Sequence, residues 1–358
     1  MENSGRRPSI VMLVPGFPAK EAETDCLPAV QNFVKALARR NPNISVHVVS
    51  FHYPFAAGVY TWNGVRVCAL AGRNKAFPMR FRTWLRAIAY VRRLIKAENV
   101  IALHSFWLAE CSYVAAWLAR MPSTRHIATI CGQDALSDNP YLKRLRFDRM
   151  TITAGSSRAA AAFHQSTGFL VNHVIPAGLD AEALTPPDET AERPIDILGV
   201  GSLIPIKDYR SFIDVVAALA GGRSSLRCVI LGEGPERPSL ESQIKERRLQ
   251  DVVRLAGHVS REEVLKTMRH ANILLHTSRY EGQGYVFLEA LAAGMRVVCR
   301  EVGYTGEGPA AYTCTSNEEM VDVLKRLLDA ARPKEEVRVE SIDCTARAFE
   351  KIYGIHVP

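Results

Sequence analysis

The residues best suited to do chemistry lie between positions 278 and 299, in S-R-Y-E-G-Q-G-Y-V-F-L-E-A-L-A-A-G-M-R-V-V-C. An apolar run at 273–276 reads as a strand, a glycine-bearing loop follows, and a helix is expected over 284–293. Glu281 falls in the loop and Glu289 inside the helix, with seven residues between them. Gly282 and Gly284 let the backbone approach a ligand that side chains there would obstruct. The first turn of the helix, at Tyr285 and Val286, offers backbone N–H groups without intrahelical acceptors, an anion site suited to phosphate. Two carboxylates repel a phosphate but suit the neutral hydroxyls of a ribose and a sugar. A nucleotide-sugar presents that combination of groups.

The pattern E-G-x-G-x-x-x-x-E-A, with an apolar strand before it and A-A-G-M-R-V-V-C behind, resembles the donor signature of the retaining GT-B glycosyltransferases of family four, the glycosyl transferases group 1. The resemblance runs from about residue 10 to 353 and is most specific between 199 and 298. It implies that Glu281 contacts the transferred sugar, that Glu289 holds the ribose hydroxyls, and that the diphosphate rests on the backbone between them. Gly199-Val200-Gly201-Ser202-Leu203 with Lys207 resembles the family's G-R-L-x-x-x-K-G segment, whose cations grip the diphosphate. Ser202 stands where the arginine is expected and Asp208 where glycine is common, so Lys207 carries more of the leaving-group role or another cation helps. Gly232-Glu233-Gly234-Pro235 resembles the G-x-G-P turn beside the nucleotide, and Gly257-His258-Val259 a segment near base and phosphates, which makes Gly232, Glu233 and His258 donor-side candidates.

The same resemblance supplies acceptor-side candidates in the first half. His104, by its position closing a strand, is expected either at a cleft edge facing one of the substrates or as a half-buried packing residue. Thr129-Ile130-Cys131-Gly132-Gln133-Asp134 resembles T-x-H-G-x-D, with Cys131 in place of the histidine that approaches the sugar and Asp134 keeping the acid. A cysteine there fills space and donates weakly but does not carry a proton as histidine does. Where the family has a double-glycine loop after the first strand, Gly16 alone offers comparable backbone freedom. Pro176-Ala177-Gly178-Leu179-Asp180 resembles the P-N-G-V-D turn that ends the first domain.

Positioning these groups requires two α/β halves. Strands are expected at 10–14, 46–50, 65–69, 100–103, 126–130, 151–154 and 171–175, with helices at 27–40, 81–96, 110–120 and 156–165. A proline-bearing polar stretch at 184–194 has a linker's composition. Alternation restarts with strands at 195–200, 227–231, 252–256, 273–276 and 296–299 and helices at 211–220, 237–248, 261–270, 284–293 and 318–330. The expected fold is α/β, GT-B, two Rossmann-like domains facing across a cleft: residues 1–183 binding acceptor, 195–338 binding nucleotide-sugar, and a terminal segment at 339–358 whose helix returns to the first domain.

At 358 residues the chain has room for two domains, and 47% hydrophobic with 23% charged residues is ordinary for a globular protein. Eight scattered cysteines form no C-x-x-C and the histidines show no metal-ligand spacing, which points to reduced thiols and a cytoplasmic protein. The apolar run at 10–14 is too short for a signal core or a membrane span. The resemblance implies no cofactor or required metal, a saccharide or lipid-linked acceptor, and a hexose-type donor sugar.

A net charge of +8 fits an acidic partner. Between Arg73 and Lys96 lie eight basic residues and no acid, with Trp84, Ile88, Val91 and Ile95 at helical spacing, so the stretch reads either as an ordinary helix packed on its sheet or as a contact with an anionic, inner membrane surface. Competing functions are a GT-B nucleotide-sugar isomerase or epimerase, a donor-binding protein without transferase activity, and a nucleic-acid module. The last has no stacking or zinc motif behind it.

Overall fold

The computed structural model describes residues 6–120, 124–180, 192–223, 225–304, 310–330 and 339–355. The chain divides into two compact units, Met1–Gly178 with Ser341–Pro358, and Leu179–Glu340. Most of the polar stretch at 184–194 lies outside the described residues.

The first unit is built on β1 (Pro8–Gly16), α1 (Pro28–Arg40), β2 (Ser45–Tyr53), β3 (Gly58–Trp62), β4 (Val65–Ala69), α2 (Met79–Ala97), β5 (Asn99–Phe106), α3 (Glu110–Leu118), β6 (Arg125–Ile130), β7 (Thr151–Ala154), α4 (Ser157–Thr167) and β8 (His173–Val174). The sheet runs β3-β4-β2-β1-β5-β6-β7-β8, parallel except for the β3–β4 hairpin. The central strands read as unbroken apolar runs, such as Ile10 to Val14, because helices cover both faces.

The second unit comprises β9 (Ile195–Val200), α5 (Tyr209–Ala220), β10 (Cys228–Leu231), α6 (Arg237–Glu246), β11 (Val253–Gly257), α7 (Arg261–Arg269), β12 (Ala271–His276), α8 (Tyr285–Ala292), β13 (Arg296–Arg300), β14 (Ala311–Cys314) and α9 (Asn317–Asp329). Its sheet order, β11-β10-β9-β12-β13-β14, is wholly parallel and doubly wound. Residues of α5, α6 and α9 share one core cluster, with Phe212, Ile230, Leu240 and Leu324, and residues of α7 and α8 share the other, with Leu198, Met268, Leu274 and Phe287.

The chain then closes on the first unit through α10 (Ile342–Tyr353), which packs on α1. Glu350 receives Arg40 through two nitrogens at 2.8 and 3.1 Å and Asn41 at 2.9 Å. The Gly178 amide donates to Thr345 Oγ1, and Thr345 donates in turn to the Pro176 carbonyl, both at 2.8 Å. A Cβ at Gly178 would meet the Ser341 backbone at 2.3 Å, so this crossing of chain segments requires glycine.

Three elements differ from the sequence reading. The hairpin strand β3 was not expected, although Asn63-Gly64, both at positive φ, is the strongest short hairpin signal. Strand β14 follows residues with no period-2 pattern, and the strand expected over 171–175 is reduced to His173–Val174. Among the described residues no helix is long and apolar enough to cross a membrane.

Candidate functional site

Strand order in the second sheet reverses between β9 and β12, and the loops leaving these neighbours diverge there, where doubly wound sheets bind ligands. After β9 the chain passes Gly201, Ser202 and Leu203 into a 3-10 turn, Pro205–Lys207, before α5. Asp208 joins turn to helix in the left-handed conformation, φ 51° and ψ 48°. That backbone explains the glycine expected at this position. Asp is among the few side chains that tolerate it, and here its carboxylate is held by Ser211 Oγ at 2.9 Å, Arg279 Nε at 3.1 Å and Arg300 at 3.7 Å.

The loop after β12 is stapled to that turn. Thr277 Oγ1 donates to the Asp208 carbonyl at 2.8 Å, Ser278 Oγ to the Ile206 carbonyl at 3.1 Å, and the Arg279 amide to the same carbonyl at 2.9 Å. Residues some seventy positions apart are thereby held in register. Lys207 Nζ reaches Glu281 Oε1 at 2.5 Å, and His276 Nε2 reaches the same oxygen at 2.7 Å. His276, which ends β12, is 3% exposed with its ring edge-on to Phe287.

Burial alone would push the Glu281 carboxyl up, but the hydrogen bond from His276 and the charge of Lys207 outweigh it and hold it at about 2. Burial lowers His276 in spite of the neighbouring carboxylate, so its ring is neutral and donates a hydrogen bond. The ionised form of Glu281 therefore contributes stability at pH values above the usual glutamate range. That contribution is lost as pH falls from about 4.5 through about 2. Glu281→Gln should accordingly melt with a flatter acid limb than wild type below pH 5, the difference reaching about 3 kcal/mol. Parallel acid limbs would show that the carboxylate is not held in this way.

Gly284 caps α8 at φ 79°, and a Cβ there would strike the Phe287 ring at 2.4 Å, so the sharp entry into the helix depends on glycine. Gly282 is buried, while Tyr285 and Val286, the first residues of α8, are half-buried. Glu289, 8% exposed, accepts from Arg261 Nε at 3.0 Å and Nη2 at 2.8 Å, both at Oε1. Burial pushes the Glu289 carboxyl up against the pull of that guanidinium. The two glutamates thus sit in different surroundings, one clamped by a lysine and a histidine, the other by an arginine.

The turns after β9, β10 and β11 lock together. Gly201 N donates to the Leu231 carbonyl at 3.0 Å, Gly232 N to the Gly257 carbonyl at 2.9 Å, and Leu203 N to the Glu233 carbonyl at 3.0 Å. A Cβ on Gly232 would lie 1.9 Å from the Gly201 oxygen. Ser202, Glu233 and His258 are exposed on this rim. The Glu233 carboxylate lies 3.5 Å from Arg237.

Lys207 and Glu281 are therefore brought into contact. Sequence reasoning missed their companion His276 and the Arg261 partner of Glu289. His276 was visible only as a strand end, and Arg261 only as the residue opening a helix after G-H-V-S.

In the first unit the acceptor-side candidates are placed differently. Gly16 ends β1 under Cys26, whose Sγ lies 3.3 Å from a glycine Cβ position. Burial and the charge of Glu23 push the Cys26 thiol up to about 12. His104 has no exposed surface: it stacks on Phe106 at 4.3 Å and is hydrogen-bonded to Tyr353 Oη at 2.5 Å and Thr129 Oγ1 at 2.7 Å. The structure places it among the packing residues of the interior and not on an open surface. The imidazole ties α10 to the sheet, and burial holds it neutral, down at about 3. Asp134 is likewise a brace, accepting the backbone amides of Leu108 at 2.8 Å and Gly132 at 2.6 Å, with its carboxyl raised by burial to about 6. Cys131 is half-buried and donates to the Thr129 carbonyl at 3.4 Å.

Residues 181–335 match the model of the family described as glycosyl transferases group 1. The 2-deoxystreptamine N-acetyl-D-glucosaminyltransferase of Niallia circulans is 32% identical over 114 residues, which are 32% of this chain, and the match spans 28% of that relative's length. Sucrose-phosphate synthase (tll1590) from Thermosynechococcus elongatus superposes with a TM-score of 0.73 over 97% of this chain and 95% of its own, at 17% identity. Alr3699/HepE of Anabaena, solved in complex with UDP and glucose, superposes with a TM-score of 0.65 over 96% of this chain and 95% of its own, at 15% identity. At such identities these structures show the fold, the two-domain α/β architecture with parallel sheets called GT-B.

Proposed function

We propose that the protein moves a hexose-type sugar, with retention, from a nucleoside-diphosphate sugar to a saccharide or lipid-linked acceptor, in polysaccharide or glycolipid synthesis, a reading supported by the match of residues 181–335 to the glycosyl transferases group 1 model. The observation that carries this reading is the Lys207–Glu281–His276 cluster at the switch point of the second sheet. The relative's sugar transfer and the UDP and glucose held by the Anabaena neighbour support it.

The anomeric C–O bond to the diphosphate breaks and a bond to the acceptor hydroxyl forms on the same face, the acceptor proton passing to the departing phosphate. Charge builds on that phosphate. Lys207 supplies the point charge that stabilises it, together with the amides at the start of α8. Glu281, ionised and fixed by His276, accepts hydrogen bonds from the sugar, and Glu289, steadied by Arg261, from the ribose. Bringing a phosphate to Lys207 draws that cation toward a second anion, so the carboxylate becomes available as the donor arrives.

Screening nucleotide-sugars for thermal stabilisation, followed by transfer assays with and without acceptor, tests the reading. A donor that stabilises and is consumed only with acceptor supports transfer. Conversion of donor alone identifies an isomerase, and stabilisation with no turnover identifies a donor-binding protein, the alternative raised by Ser202 and Cys131. No metal is assigned a role, so activity should be unchanged, within about twofold, after EDTA treatment. Loss of activity restored by a divalent cation would refute that part.

A further inference from the structure

Residues 26–97 contain no aspartate or glutamate, and the run ends on α2. The apolar stripe legible in the sequence is the inward face of this helix: Val91 is buried, and Trp84, Ile88 and Ile95 pack against the same cluster under the sheet. Glu110 anchors the helix start, accepting from Trp84 Nε1 at 2.6 Å and His52 Nε2 at 3.1 Å, with Arg80 Nε at 3.5 Å.

The opposite face carries a second apolar line that periodicity does not single out. Phe81, Leu85 and Ala89 recur every four residues, all exposed, the first two at 47% and 49%. Exposed Arg82, Arg86 and Arg93 flank that line. Phe77, at 79% exposure, precedes the helix, and Trp117 of the neighbouring α3 lies 4.9 Å beneath the Arg92 guanidinium. Among the described residues, Arg80 is the one cation between Arg73 and Lys96 paired with a carboxylate.

An apolar line bordered by unpaired arginines and free of acids is the pattern of a helix lying in a lipid interface. The side chains enter the acyl boundary while the guanidinium groups meet phosphates. We propose that the outer face of α2, from Phe77 to Arg93 with Trp117, docks on an anionic phospholipid surface. This surface belongs to the first unit and does not depend on the donor reading.

Sedimentation of the full chain with vesicles tests it. Vesicles of mixed phosphatidylglycerol and phosphatidylcholine should bind at least about tenfold more strongly than pure phosphatidylcholine, and salt should weaken the binding. Phe81→Ser with Leu85→Ser should lower partitioning about tenfold, and Arg82→Glu with Arg86→Glu at least about a hundredfold. Melting temperatures should remain unchanged, since these side chains are exposed. Equal binding to both vesicle types, or none to either, would overturn the proposal. So would charge-swapped variants that lose binding while the serine variants bind as wild type, since that identifies a plain polyanion contact such as RNA. Nucleotide-sugar stabilisation should be the same in every variant, which separates this result from the fate of the transferase reading.

Discussion

Lys207→Ala should lower turnover by a factor on the order of 10²–10³ and weaken binding of the nucleoside diphosphate itself, because it removes the point charge proposed to face the departing phosphate. Glu281→Gln should lower turnover comparably while leaving diphosphate affinity nearly intact, since its proposed partner is the sugar and not the phosphate. The two differ in what survives. Calorimetry with the diphosphate alone should distinguish them, with the donor identified by stabilisation used for turnover. Because Lys207 Nζ and Glu281 Oε1 are 2.5 Å apart, the double variant should lose less than the product of the single losses. Activity within threefold of wild type in either single variant would remove these residues from the mechanism.

Gly232→Ala should cost about 3–5 kcal/mol and abolish donor-induced stabilisation. The added Cβ would lie 1.9 Å from the Gly201 carbonyl oxygen, at φ +156°, a backbone conformation L side chains rarely adopt. The obstacle is backbone, so no side chain can rotate away, and relief requires separating the turns after β9 and β10. The control is Gly221→Ala, where the backbone is right-handed helical and nothing lies within 4 Å. Its stability should change by less than about 1 kcal/mol. Thermal melts with and without nucleotide-sugar read both effects, and similar behaviour of the two variants would mean that the turns are not interlocked as described.

Gly232 and Gly284 stood out in the sequence, and each occupies a place where an added Cβ would collide, with the Gly201 backbone and the Phe287 ring respectively. The basic helix was legible only in part. Its periodicity named the core-facing stripe of Trp84, Ile88, Val91 and Ile95, whereas the exposed line of Phe81 and Leu85 is set apart only by knowing which face the sheet covers. His104 was ambiguous because a polar residue at a strand end reads equally as a site edge or as a packing residue. Nothing local reveals that Tyr353, far away in sequence, closes over it.

The sequence by itself determined the alternation of strands and helices, the glycine loop before Glu289 and the candidacy of Lys207 and Glu281. These are written in local periods and in backbone requirements that neighbouring residues express. Only the tertiary structure decided which charges meet: that His276 and Lys207 converge on one oxygen of Glu281, that Arg261 takes Glu289, and that Asp134 and His104 brace the first unit. Such pairings depend on strand order. The doubly wound sheet makes β9 and β12 neighbours although β10, β11 and their helices separate them in the chain, and no local pattern encodes that adjacency.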